Sequence, residues 1–302
     1  MKRRIVGVGP RLVAATLLAT LFGSGISKAS AQTTSEVNAG GRASENDAAV
    51  EASLVLGPGK SLRDARKCFE GDAGRGYAPA MVNLAVFYME GWGGVQQNYG
   101  TSLYWLKEAA KQGQPRAYTN LAIMYLKGLG VTQDYREALK DFRIAADRGE
   151  TGAMVDVGYM TESGQGTTKN EVEGAEWYRK AAERGDMWGQ NNLADAYLRG
   201  IGVVQSDKLA AEWFRKAAVK GHSGARIKLG FLHMMGRGVE KDPVAAYGWI
   251  LAASQAGDHR GDQYLSSLQM ELQAEQLEAA TKRARELQAA PEASPMEMAF
   301  VR

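Results

Sequence analysis

Cysteine and histidine are scarce in this chain of 302 residues, which contains one cysteine and three histidines. The single cysteine, Cys68, cannot form an intramolecular disulfide, so a disulfide-stabilised scaffold is excluded. No cluster of Cys, His and Asp supplies the three or four closely spaced ligands that zinc requires. We therefore expect no metal site and no cofactor, and we interpret Cys68 as a small buried hydrophobic residue.

Catalytic signatures are missing as well. The sequence contains no G-x-S-x-G, S-x-x-K or H-E-x-x-H motif, so it has none of the common hydrolase patterns. His233 takes the place of a tyrosine in the repeated pattern described below, and we interpret it as a packing residue. We predict that the chain is not an enzyme.

The one long hydrophobic run lies near the N-terminus. Residues 12–26 are largely apolar, follow the basic segment MKRR and precede the small residues at 29–31. The run is shorter than the roughly 20 residues of a membrane-spanning helix, so we interpret residues 1–31 as a secretory signal peptide. We expect a periplasmic location, with secretion as an alternative, and no stable membrane insertion after cleavage.

An excess of positive charge is absent once this segment is removed. The whole chain has 37 basic and 34 acidic residues, and five of the basic ones lie in residues 1–31, which contain no acidic residue. The remainder has 32 basic and 34 acidic side chains, a formal net charge of −2. This balance gives no electrostatic basis for nucleic-acid binding.

An internal repeat dominates the rest of the sequence. A terminal glycine recurs every 36 residues, and a G-x-G pair and an Ala-Ala pair precede it in the same register. A fixed period of this length is typical of a solenoid. The terminal glycines are Gly113, Gly149, Gly185, Gly221 and Gly257.

Each repeat predicts two helices joined by the G-x-G turn. The segment before the turn, helix A, has apolar residues on one face, as in AYTNLAIMYLK at 117–127. We predict that the first glycine ends helix A in the left-handed conformation. Because both flanks are helical, the G-x-G pair is not a dinucleotide-binding loop, which needs a preceding strand. Helix B follows, capped at its N-terminus by a column of residues: Asn98, Asp134, Asn170, Ser206 and Asp242.

The pattern predicts an all-α solenoid of 36-residue helix-turn-helix repeats. We expect five full repeats after an N-terminal half-repeat, over residues 61–258, and capping helices over 259–290. The segments 32–60 and 291–302 show no period, and we expect the first to be mostly disordered or poorly ordered and the second to be disordered.

The repeat resembles that of the Sel-one-like repeat (SLR) family, which is related to tetratricopeptide-repeat solenoids. The resemblance rests on A-x-x-x-L-[GA]-x-x-Y-x-x-G-x-G-V-x-x-[DN] followed by A-x-x-W-[YF]-x-x-A-A-x-x-G. It implies a right-handed superhelix whose concave surface, lined by the A helices, binds other proteins. It also implies an exported bacterial adaptor or regulator of envelope signalling, polysaccharide export or host contact. Some cysteine-rich relatives are associated with β-lactams, and this chain lacks their paired cysteines.

Two columns of helix A predict the binding groove, because one is polar and the other is mostly apolar. A second interpretation is that the polar column only bonds neighbouring helices. The predicted partner-binding residues are Asn83, Asn120, Ile123, Asp156, Tyr159, Asn192, Asp195, Lys228 and Phe231.

The sequence therefore predicts a non-enzymatic exported protein that binds a protein or peptide. Two alternatives are an envelope ligand-binding protein or hydrolase acting on peptidoglycan or β-lactams, and a secreted effector that binds a host protein. The sequence leaves the oligomeric state open.

Departures from the repeat mark further positions. Asp141 replaces tryptophan in one column of helix B, where we expect it to meet solvent or to pair with Lys107 or Lys180. In the third repeat, Thr161 replaces tyrosine and Gly174 replaces alanine, which predicts a flexible joint or a reshaped groove. The remaining tryptophans of that column are interpreted as packing residues, not as a sugar-binding surface: Trp105, Trp177, Trp213 and Trp249.

Overall fold

The computed structural model describes residues 61–289, and the predicted signal peptide, the segment 32–60 and the tail 291–302 lie outside the described residues. Every regular element within the described range is helical, which confirms the all-α prediction. The helices are α1 (Leu62–Gly74), α2 (Ala78–Glu90), α3 (Tyr99–Lys111), α4 (Pro115–Lys127), α5 (Tyr135–Asp147), α6 (Thr151–Ser163), α7 (Glu171–Glu183), α8 (Met187–Arg199), α9 (Asp207–Val219), α10 (Ser223–Met235), α11 (Pro243–Gln255), α12 (Asp262–Glu271) and α13 (Ala274–Ala289), with a 3₁₀ turn at His259–Gly261 between α11 and α12.

The helices form the predicted repeats. The pairs α2–α3, α4–α5, α6–α7, α8–α9 and α10–α11 are the five full repeats, and α1 is the half-repeat before them. The segment after the fifth repeat forms the 3₁₀ turn and two separate helices, and both helices pack against α11. The prediction of an all-α solenoid is confirmed.

The chain divides into two compact units, up to Ala153 and from Met154, and the boundary lies within α6. In the first unit, side chains such as Leu84, Leu106 and Met124 form a core between helices of successive repeats. In the second unit, Phe214, Leu229 and Leu232 form an equivalent core. Small alanines in each core, among them those of the Ala-Ala pairs, allow the helices to approach closely.

The helix boundaries follow the predicted signals. The first glycine of each G-x-G pair has a positive φ, for example 68° at Gly128, a conformation that a side chain would penalise. The cap column accepts hydrogen bonds from the first turn of helix B, as from Arg136 N to Asp134 Oδ1 at 2.8 Å. The backbone N–H of Asp134 also donates to Tyr125 O at 3.0 Å, which closes the turn.

The second glycine of the pair has a role that the sequence interpretation missed. A Cβ atom on Gly93 would lie 2.9 Å from Leu62 O, and one on Gly130 would lie 2.5 Å from Tyr99 Cβ. Equivalent clashes would arise at Gly202 in the second unit. The glycine therefore allows the turn of one repeat to contact the start of helix B of the preceding repeat.

A second contact joins successive repeats through the Ala-Ala pair. One helix-A position donates a side-chain hydrogen bond to the carbonyl group of the second alanine of the preceding repeat, which also accepts from the backbone N–H of the terminal glycine. The bonds are Tyr118 Oη to Ala110 O (2.8 Å), Gln190 Nε2 to Ala182 O (3.2 Å) and Arg226 Nε to Ala218 O (3.0 Å).

The tryptophan column is not uniformly buried, since Trp249 is buried whereas Trp177 and Trp213 are half-buried. Lys180 Nζ lies 3.8 Å from the ring centroid of Trp177, and Lys216 Nζ lies 3.7 Å from that of Trp213, so lysines cover the half-buried rings. Cys68 occupies this column on α1 and is exposed. Our interpretation of Cys68 as buried was wrong, because α1 stands before the full repeats and, among the described helices, packs chiefly against α2.

Asp141 is buried in the same column, so its expected position in solvent was wrong. Burial raises the pKa of its carboxyl group to about 6, although the positive charge of the adjacent Lys140 opposes the shift. The carboxyl group occupies space next to helix B that an indole ring fills in other repeats.

Arg226 joins three helix ends in the second unit. It is 5% exposed. Beyond Ala218 O, its guanidinium donates to Ala252 O at 3.2 Å and to Leu287 O at 3.0 Å. These carbonyl groups lie at the C-terminal ends of α9, α11 and α13, where the helix dipole favours a cation. Arg226 therefore holds the last helix against the repeats.

We expect Arg226→Met to lower the free energy of unfolding by about 3 kcal/mol, because three carbonyl groups lose a charged donor while the aliphatic stem is kept. The urea midpoint and the rate of proteolysis of α13 would measure this loss. Arg215→Met, on the exposed side of α9, is the control. Equal losses in the two variants would contradict a specific role for Arg226.

Candidate functional site

The predicted binding residues of the first unit lie largely inside it. Asn120 is buried, and its Nδ2 donates to Arg116 O at 2.9 Å within its own helix. Ile123 is 9% exposed and Asn83 is half-buried. Asn120 and Ile123 therefore offer little surface to a partner, and the hydrogen bond of Asn120 does not join neighbouring helices.

Asp156, on α6 of the second unit, is the most buried of the predicted residues. It is 1% exposed, and among residues 61–289 neither carboxylate oxygen has a hydrogen-bond partner. Burial, reinforced by the nearby charge of Asp186, raises the pKa of Asp156 well above its usual range. The raised pKa favours the neutral carboxyl group, which takes a position where three other repeats have asparagine and the fifth has the half-exposed Lys228.

Helices α6 and α7 of the third repeat pack closely against each other. A Cβ on Gly158 would lie 2.7 Å from the ring of Tyr178, and one on Gly174 would lie 2.9 Å from Glu162 Cβ. Tyr178 Oη donates to Glu162 Oε2 at 2.8 Å. The replacement of alanine by Gly174 thus permits a close approach of α6 and α7, so the packing is reshaped here, and the flexible joint stays a prediction.

Three predicted residues meet where α8 and α10 lie side by side. Lys228 Nζ contacts Asp195 Oδ2 and lies 3.3 Å from Asn191 Oδ1. Asn191 Nδ2 donates to Asn192 Oδ1 at 3.1 Å. The polar column here does bond neighbouring helices, as our second interpretation held, and the lysine is nevertheless 37% exposed at its side chain.

An open cavity of about 200 Å³ adjoins Lys228, and we call it the terminal cleft. Phe231, another predicted residue, packs edge-to-face against Tyr264 of α12, with ring centroids 4.4 Å apart. The cleft is lined by Gly224, Ile227, Lys228, Phe231, Arg260, Gln263 and Tyr264. Tyr159, the remaining predicted residue, is half-buried on α6.

Sequence reasoning predicted Lys228 and Phe231 among the seven lining residues and missed the other five. Arg260 lies in the 3₁₀ turn and Tyr264 in α12, both beyond the last terminal glycine, where the repeat register no longer assigns positions. Arg260 donates to the two carboxylate oxygens of Asp258 at 2.8 and 2.6 Å. Burial alone would raise the pKa of Asp258, but the hydrogen bonds from Arg260 and Ser223 lower it.

His222 lies behind the cleft and is neutral. Its Nδ1 accepts from Ala225 N at 3.0 Å and so caps α10, and its ring meets Trp188 edge-on at 4.3 Å. Burial lowers its pKa to about 3, and the positive charges of Lys228 and Arg260 add to the shift. His222 therefore adds no charge near the cleft at neutral pH.

The terminal cleft combines aromatic rings with two cations, an arrangement that can hold an apolar side chain beside a carboxylate. Across residues 61–289, no three His, Cys, Asp or Glu side chains are grouped as a metal ion would require. None of the helices in that range is both long and apolar enough to cross a membrane.

A family model described as the Sel1 repeat matches five consecutive segments of the chain. The matched residues are 78–114, 115–150, 151–186, 189–222 and 223–258, which agree with the five helix pairs. Our expected resemblance to Sel-one-like repeats is therefore confirmed. No functionally curated protein gives a significant sequence match.

Solved structures of repeat proteins are similar to this chain. A Sel1 repeat protein from Oxalobacter formigenes is 28% identical, with a TM-score of 0.61 over 69% of this chain and 83% of that chain. A protective antigen of uropathogenic Escherichia coli strains, which displays an SLR fold, is 26% identical. The match covers 84% of this chain and 62% of that chain, with a TM-score of 0.49.

We expect Asp156→Asn to stabilise the chain by about 1–3 kcal/mol at pH 7, because the amide avoids the cost of keeping a buried carboxyl group protonated above its ordinary pKa. The pKa of Asp156 is raised in the folded state, so its cost to stability is small below about pH 4, the pKa of an unfolded aspartate, and grows as the pH rises. Urea midpoints at pH 7 and pH 4 would measure the effect.

Glu176→Gln, on the exposed face of α7, makes the same change from carboxyl group to amide and is the matched control. It should leave the urea midpoint unchanged at both pH values. A stability loss in Asp156→Asn, or an equal gain at pH 4 and pH 7, would contradict the assignment of a neutral, unpaired carboxyl group.

Proposed function

Since the chain belongs to the Sel1 repeat family, whose members generally mediate protein–protein interactions, we propose that it is a non-catalytic protein that binds a protein or peptide partner through the second unit. The family gives the class of function, and the repeat fold alone does not name the partner. The partner is expected to contact helix-A side chains around the terminal cleft.

The convergence of predicted residues at the terminal cleft carries this proposal. Lys228 and Phe231 line the cavity, while Asn192 and Asp195 lie in the polar network that holds Lys228. An aromatic pair beside an oriented cation is the kind of anchor that dominates binding energy at interfaces. The first unit gives no comparable support, because Asn120 and Ile123 are buried there.

We extend the proposal to location and role. The basic segment, short apolar run and small residues of positions 1–31 support export by a signal peptide. An exported interaction protein would act as an adaptor or regulator in the cell envelope, in signalling, polysaccharide export or host contact.

In-cell photo-crosslinking tests the binding surface. A photoreactive amino acid at position 159 or 231, both half-buried on helix A, should yield a specific crosslinked partner that mass spectrometry identifies. Positions 104 and 172, which are exposed on helix B, serve as controls and should yield none. Specific crosslinks from the helix-B positions alone would contradict the proposed surface.

Cell fractionation tests the location. We expect the chain to be released by osmotic shock and to begin at Gln32, because the small residues at 29–31 form the cleavage site. N-terminal sequencing of the purified protein would measure this. A chain found in the cytoplasm with Met1 intact would contradict export, and a chain found only in the medium would favour secretion.

A further inference from the structure

Resting on the proposed function, we propose that the terminal cleft recognises a partner segment in which an acidic residue adjoins an aliphatic or aromatic one. The apolar side chain enters the cavity, and the neighbouring carboxylate meets Lys228 and Arg260. The chemistry of the cleft thus specifies the class of partner sequence.

The cavity is the size of a side chain. Its volume, about 200 Å³, is below the roughly 300–1,000 Å³ of most small-molecule sites. Its apolar part consists of Ile227 and the edge-to-face rings of Phe231 and Tyr264. Rings that are already packed against each other lose little conformational freedom on binding, so they form a pre-organised pocket for an apolar side chain.

The charged residues of the lining have one sign. Lys228 and Arg260 are cationic, and none of the seven lining residues is acidic. Each cation is held by a carboxylate outside the lining, Lys228 by Asp195 and Arg260 by Asp258. Their side chains are still 37% and 58% exposed. The two cations are therefore oriented before a partner arrives, which reduces the entropy cost of binding.

The positive charges of Lys228 and Arg260 also act together on the ring of His222. The charges of Lys228 and Arg260 both disfavour protonation of His222, after the larger effect of burial. A carboxylate placed in the cleft would be attracted by the same two positive charges. Electrostatic complementarity of this kind favours acidic partners over basic ones.

A nucleic acid fits the cleft less well. Phosphate backbones are bound by several cations along a track, whereas the cleft has two cations beside an aromatic pair. The net charge of −2 outside residues 1–31 adds no general attraction for polyanions. A short acidic and apolar peptide segment satisfies both parts of the lining.

Selection from a displayed library of short random peptides on the purified full chain tests the inference. We expect the enriched peptides to place Asp or Glu beside Leu, Ile, Met or Phe. A fluorescein-labelled peptide made from the selected sequence should bind about tenfold more weakly to Lys228→Met and to Arg260→Met, because each removes a charge-assisted contact. Lys241→Met, an exposed lysine in the turn after α10, is the matched control and should leave the affinity unchanged.

Phe231→Ala should weaken binding of the same peptide, because it removes a ring from the apolar part of the cavity. Circular dichroism would show that each variant is folded. Enriched peptides without an acidic residue, or an affinity left unchanged by both Lys228→Met and Arg260→Met, would overturn the acidic specificity while leaving protein binding in place. Binding that appears only after removal of residues 291–302 would assign the cleft to the chain's own tail and also overturn the inference. If no peptide is enriched, the inference fails, whereas crosslinking from position 159 tests the proposed function independently.

Discussion

The contact between the turn of one repeat and the start of helix B in the preceding repeat is the constraint on which each unit depends. It requires a glycine, because a Cβ on Gly93 or Gly130 would collide with Leu62 or Tyr99. Together with the side-chain bonds to the second alanine carbonyl, it fixes the spacing and rotation between successive helix pairs. The same register therefore places equivalent helix-A residues in a row.

The terminal cleft exists because this register ends in the second unit. After α11, the chain forms a 3₁₀ turn and α12 in place of another helix A, so Arg260 and Tyr264 approach α10 from outside the repeat pattern. In the first unit, Asn120 and Ile123 of the equivalent columns are buried. The exposure of Phe231 and Lys228 thus follows from the place of α10 in the array, and their residue types alone would not show it.

Residues that depart from the repeat pattern lower the stability of the fold where their position in the repeat is buried. Asp141 occupies a position that other repeats fill with an indole ring, and Asp156 occupies one that asparagine fills elsewhere. Burial raises the pKa of both carboxyl groups, because it disfavours their charged form. Cys68, in the same column as Asp141, is instead exposed on the half-repeat α1.

The sequence by itself determined the helices, their ends and their pairing, because glycine conformation, N-capping and apolar periodicity act over a few neighbouring residues. From their columns in the repeat, it also predicted four residues that lie at or beside the terminal cleft: Asn192, Asp195, Lys228 and Phe231. Only the tertiary structure decided which columns are buried, that Asp195 holds Lys228, and that Arg260 and Tyr264 complete the cleft. Burial and charge pairing depend on residues that are distant in the sequence. A repeat pattern assigns the same surroundings to every repeat, whereas the last repeat has different neighbours.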